Sequence, residues 1–200
     1  MAPHACAFLV ESYATERLKT LSLWASFRDE DLAFRPAPRA RTPLEHMLHQ
    51  CTSEERWMAD MLAIDSGQPA LPAEETRLSF LRHYARASER RLAALSGKPA
   101  AWFEGSARFF DVERSRAWVL LRRLTHTSHH RGQLTLVLRL LGRELWSTYG
   151  PTADTGGLPA HGAGVRYRHG SVEELLDAEA RGLRPPALPG PGAKPASERP

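Results

Sequence analysis

The chain has 200 residues, room for one domain with its own hydrophobic core, and its 42% hydrophobic and 25% charged residues are ordinary globular usage that excludes a wholly disordered or fibrous protein. Its 27 Lys and Arg against 23 Asp and Glu leave a net charge of only +4, and cations alternate with acids, as at Glu89 and Arg90, so no single-sign stripe tracks a phosphate backbone and no nucleic-acid partner is expected. No apolar run reaches the ~18 residues of a membrane span, the first residues carry no cationic leader, and Cys6 and Cys51 form no CxxC pair or disulfide framework, so a cytoplasmic protein without a membrane partner is expected.

Taken in chain order, the first segment is residues 8–27, where Leu9, Tyr13, Leu18, Leu21 and Trp24 recur at near-helical spacing. Residues 29–41, with two prolines and several charges, read as a connector. Thr42, Pro43 and Glu45 make a capping box with Pro at the first helical position, and a second helix is predicted to continue to about Ile64. A third covers residues 74–96, closed by Gly97 as a left-handed cap. Residues 101–111 lack helical period and read as irregular or short extended chain. The longest pattern runs over 113–141 and stops at Gly142. A glycine-rich loop follows Tyr149, read as packing over one end of the helices or as a lid. Residues 171–182 suggest a short helix with a capping box from Ser171 to Glu174. The expected fold is all-α: a four-helix bundle over residues 1–160, a loop and short helix over 161–182 as an irregular C-terminal extension, and a disordered tail over 183–200.

Three of the nine histidines fall within five residues, at 126, 129 and 130. At ~100° per residue, His126 and His130 share a helix face, while His129 points to solvent or a neighbouring helix. The stripe carrying the pair continues through Val119, Leu134, Val137 and Leu141, so two imidazoles interrupt a core-facing surface. A divalent cation satisfies their lone pairs, but needs at least a third protein ligand from another helix. His46 and His49 on the second helix lie off its apolar stripe of Leu44, Met47, Leu48, Cys51, Met58 and Leu62, and periodicity places both at the surface.

Arg123, one turn before His126, is a candidate for holding an anionic substrate against the alternative of an ion-paired arginine. Gln133 reads as a partner of His130 or a packing amide, Cys51 as a small buried residue, and His83 as part of a solvated face. Glu45, Glu54, Glu55 and Asp60 are each close enough in sequence to orient a ligand or act as a base, and spacing does not choose among them.

The run His126, Thr127, Ser128, His129, His130, Arg131, Gly132, Gln133 resembles the HxxxHRGQ run of DinB-like proteins, a metal-dependent four-helix-bundle superfamily that includes YfiT-type proteins and bacterial thiol S-transferases. Leu48 to Trp57 is similar to the pattern of the family's second helix, a His followed by acids and an aromatic. The resemblance implies metal ligands at His49, His126 and His130, with His46 as the replacement if the register of the helix is shifted. It also implies a small-molecule substrate, a low-molecular-weight thiol as cosubstrate and a homodimer. Three neutral imidazoles leave a +2 centre with an open position that activates a water or a thiol, the chemistry of a transferase or hydrolase. No catalytic residue is assigned. Zinc is the expected metal, with nickel or iron as alternatives. The competing expectation is a bundle that holds metal for a structural or stress-related role and catalyses nothing.

Overall fold

Four of the helices begin where a hydroxyl side chain, of Thr42, Thr76, Ser115 or Ser171, accepts from a free N–H group of the first turn. In the computed structural model, which describes residues 5–192, Thr42 Oγ1 accepts from Glu45 N at 3.1 Å and the Glu45 carboxylate accepts from Thr42 N at 2.8 Å, the reciprocal box expected from sequence. Among the described residues there are six α-helices: α1 (Ala7–Ala25), α2 (Pro43–Arg56), α3 (Arg77–Ser96), α4 (Ala100–Glu104), α5 (Arg116–Leu140) and α6 (Val172–Ala180). The protein is mostly helical. The long helices contact one another, α1 packing on α3 and α5, and α2 on α3 and α5. Among the described residues no helix is long and apolar enough to cross a membrane.

Several boundaries differ from expectation for local reasons. The second helix widens after Arg56 into a π-helical turn over Trp57–Met61. The third starts later, because Thr76 Oγ1 caps Ser79 N at 3.2 Å, and Gly97 sits in the right-handed region at φ −83°, not in a left-handed cap. Residues 112–115 do not open the long helix. They form β2 (Val112–Ser115), which pairs antiparallel with β1 (Ser106–Phe109), the turn being closed by Phe110 at φ 54°. Ser115 then caps α5 through Trp118 N. In α6 the box is shifted by one residue, since the Glu174 carboxylate accepts from Gly170 N at 2.7 Å while Ser171 Oγ caps Glu174 N.

Gly142 ends α5 as expected, at φ 66°. An added Cβ meets nothing within 4 Å, so Gly142→Ala is expected to destabilise only through its backbone, by about 1–2 kcal/mol. Urea denaturation checks this, and an unchanged midpoint would show that the turn relaxes without cost.

Apolar packing falls into two clusters. One gathers Trp24, Met47, Cys51, Phe80, Tyr84, Leu134 and Leu138, and α6 adds Val172 and Leu175 to it. The other gathers Leu9, Met58, Leu95, Phe103, Val119, Leu120 and Leu124. Between them each long helix carries buried polar residues at the same level: Arg17 on α1, Glu54 on α2, Ser88 and Arg91 on α3, Arg123 and Thr127 on α5. Of the expected tail, residues 183–192 are described. Leu188 is buried, and Gly190 N donates to Asp154 O at 2.9 Å. Residues 193–200 lie outside the described residues.

Candidate metal centre

One turn of α5 places His126 and His130 on the same side, and α2 brings His49 against them. One ring nitrogen from each of the three lies within 4.8 Å of the others. Ring centroids are separated by 4.5 Å for His126 and His130, 4.6 Å for His49 and His130, and 5.4 Å for His49 and His126. Nitrogen donors on two helices with this spacing fit a divalent ion of the zinc type, and among the described residues neither a carboxylate nor a cysteine joins the group.

The hydrogen bonds set the tautomers. Arg123 Nη1 approaches His126 Nδ1 at 3.2 Å, and because a guanidinium can only donate, this nitrogen accepts and the neutral ring keeps its proton on Nε2. That N–H then donates to His130 Nε2 at 3.2 Å, and His130 donates from Nδ1 to Gln133 Oε1 at 3.1 Å. A cation between the facing nitrogens competes with this one proton. Gln133 therefore partners His130, and the amide is exposed, not packed between helices.

Burial makes all three rings poor bases. It lowers His130 to about 3, helped by the neighbouring His126 and His49, and lowers His126 to about 4, helped by Arg123. His49 is lowered by burial and by Arg41. All three are neutral at pH 7, the form in which imidazole ligates a metal. Trp57 stacks on His126 at 5.5 Å and 21°, while Phe109 and Phe110 of the hairpin close its edge.

His46 corrects the periodicity argument. It is buried, not exposed, because residues 29–41 fold over its face of α2, a cover that the period of the helix alone does not reveal. Its ring lies 5.3 Å from that of His130, and its Nδ1 has no partner. His49 is half-buried. His83 is likewise buried, with Nε2 at 3.1 Å from the Ala70 carbonyl of the loop before α3. His129 is exposed, and the buried Cys51 thiol is pushed up by its surroundings, as suits a small core residue. Arg123 is buried and ion-paired. It donates to Ser53 Oγ at 2.8 Å and Thr127 Oγ1 at 3.1 Å, and stands 3.5 Å from Glu54.

The histidines also predict a pH response of the metal-free protein. His46 and His130 are depressed to about 4 and about 3 in the fold and regain ~6.5 on unfolding, so the unfolded chain binds more protons as the pH falls. Stability is complete above about pH 6.5 and declines below it, with a limiting slope of about 1.4 kcal/mol per pH unit for each buried ring. Urea denaturation in EDTA at pH 7, 6 and 5 measures it; a flat profile would place both rings in contact with solvent.

Sequence reasoning named Glu54 among four candidate acids but did not single out this carboxylate beneath the site. Glu54 accepts from Tyr13 at 2.6 Å and Tyr84 at 2.8 Å and pairs with Arg91 at 3.3 Å. The signal was present: Met47, Cys51, Glu54 and Met58 share one helical stripe, so the acid points inward among apolar neighbours. Nor was the anchor of the glycine-rich loop foreseen. Buried Arg131 meets Glu16 and the Tyr149 hydroxyl, which donates to Glu16 at 2.7 Å, so that loop packs against α1 and α5.

The fold and the site together define a mostly helical protein with a three-imidazole cluster able to hold a divalent cation. The DinB family model matches residues 1–156, and the chain belongs to the DinB family. It is similar to the crystal structure of a DinB-like protein from Bacillus cereus, with a TM-score of 0.63 and 20% identity over 70% of this chain and 95% of that one. A DinB-like protein from Bacillus subtilis matches with a TM-score of 0.56 and 16% identity over 69% and 94%. At these identities the likeness concerns the fold. No curated protein matches the chain.

Proposed function

We propose that this protein is a divalent-metal-binding four-helix bundle that transfers a thiol to, or hydrolyses, a small molecule at a centre of His49, His126 and His130. The observation that carries the reading is the convergence of three neutral imidazole nitrogens within 4.8 Å, with no fourth ligand of Cys, Asp or Glu type in the group among the described residues. When bound, zinc supplies Lewis acidity and lowers the pKa of a water or thiol in the open position.

The side chains of this protein do the rest. Gln133 holds the orientation of His130, and Trp57, itself flanked by Phe109 and Phe110, covers one face of His126. Arg123 places positive charge behind His126 while its fork is occupied by Ser53, Thr127 and Glu54, so it orients the ligand. The partners of this reading are a small substrate and a thiol cosubstrate in the cytoplasm, with a homodimer as the assembly. The test is turnover: zinc-loaded protein is offered bacterial thiols and electrophiles, and activity must disappear in His126→Ala. Turnover that persists in the variant excludes the centre.

A further inference from the structure

Beside the histidine cluster lies a second feature, a pocket of about 400 Å³ between residues 36–41, the first turn of α2 and the C-terminal half of α5. Its wall carries Arg39, Arg41, His46 and Gln133, its apolar side Leu136 and Leu140, and no carboxylate lines it. The larger cavity of about 690 Å³ near the end of α1 differs, because there Arg28 and Arg77 are mixed with Asp29 and Glu179. In the smaller pocket the lining itself offers no counter-charge, and the field of Arg41 reaches Glu45 outside it. Glu45 is engaged by Arg35 at 2.5 Å, and among the described residues neither Arg39 nor Arg41 forms an ion pair.

The donors in the wall are free to turn toward a guest. Gln133 uses Oε1 to accept from His130, which leaves its amide N–H₂ as a donor. The ring of His46 is buried with Nδ1 unpartnered, so no protein acceptor dictates which nitrogen carries its proton. Leu136 and Leu140, one turn apart on α5, are 61% and 58% exposed, a strip of hydrocarbon beside two guanidiniums. Cations at one end and an apolar strip at the other fit an amphiphilic anion better than a bare one. The pocket adjoins the cluster, since Gln133 touches His130 and the field of Arg41 reaches His49.

We propose that this pocket receives the substrate of the centre and that the substrate is a small carboxylic acid with an apolar body, its carboxylate between Arg39 and Arg41 and its hydrocarbon on Leu136 and Leu140. The assignment rests on the metal-site reading for the word substrate, and on the pocket alone for the binding.

The test uses hexanoate, with hexan-1-ol and inorganic phosphate as controls that each keep half of its chemistry. Hexanoate is expected to bind the metal-free full chain with a Kd on the order of 1 mM, and each control at least tenfold more weakly. The double variant Arg39→Ala, Arg41→Ala is expected to lose at least tenfold in hexanoate affinity while its zinc affinity does not fall, since the change removes only positive charge from beside His49. In cobalt-loaded protein the proton signals of hexanoate broaden, and in zinc-loaded protein they do not. Equal binding to the double variant overturns the proposal, as does phosphate that matches hexanoate. Two further results overturn it: no broadening by cobalt, and hexanoate affinity that falls as protein concentration rises, which would put a second copy of the chain over the pocket. Hexanoate binding by a protein that takes up no metal removes the metal-site reading and leaves the pocket standing as a carboxylate site.

Discussion

Glu54→Gln is expected to destabilise the protein by about 3–5 kcal/mol, the range for removing one partner of a buried ion pair. The carboxylate is 1% exposed and is met from three other helices: by Tyr13 on α1, by Tyr84 and Arg91 on α3, and by Arg123 on α5. Burial by itself raises this carboxyl, yet Arg123, Arg91 and the two phenols hold it below its ordinary value, so it is ionised at neutral pH. The amide keeps the shape and one acceptor but leaves Arg123 in the interior without a counter-charge and Arg91 with Glu55 as its remaining acid. Because Arg123 also contacts His126, part of the effect is expected to reach zinc affinity. Urea denaturation reads the first effect and competitive zinc titration the second. A loss below about 1 kcal/mol, the value of an exposed pair, would mean that the polar layer is hydrated.

The second large effect concerns the ligands. Each of His49→Ala, His126→Ala and His130→Ala is expected to weaken zinc binding by more than about 100-fold, beyond what the loss of an orienting partner costs. His46→Ala is expected to weaken it by less than about tenfold, since its ring faces that of His130 from 5.3 Å without offering a nitrogen to the group. The four variants separate the two histidines of α2 that spacing left equivalent. If His46→Ala falls with the others while His49→Ala binds normally, the centre is built on the other register of α2. Elemental analysis of protein purified without added metal completes the comparison.

The two effects are linked through position. The polar layer lies between the two apolar clusters, and the histidine cluster sits at the same level of α2 and α5. A buried charge network that ties four helices together gives the site a rigid floor, because any shift of one helix breaks several hydrogen bonds at once. Pre-set ligands lower the reorganisation needed for metal binding.

The helical class, the capping box at Thr42, the stop at Gly142 and the shared face of His126 and His130 were all legible in the chain, because each depends on contacts within four residues or on the 3.6-residue period. Of the hairpin over residues 106–115, the first strand was legible only as irregular or short extended chain, and the second was not, since residues 113–115 continue the helical pattern of α5. Burial of His46 and His83 was decided by loops folding over faces that their own helices would leave in water. The partners of Glu54 are 30, 37, 41 and 69 residues away in sequence by chain number, at Tyr84, Arg91, Tyr13 and Arg123. Local periodicity sets which way a side chain faces along its own helix, but the charge and the hydrogen bonds it meets come from other helices, and only their packing brings those together.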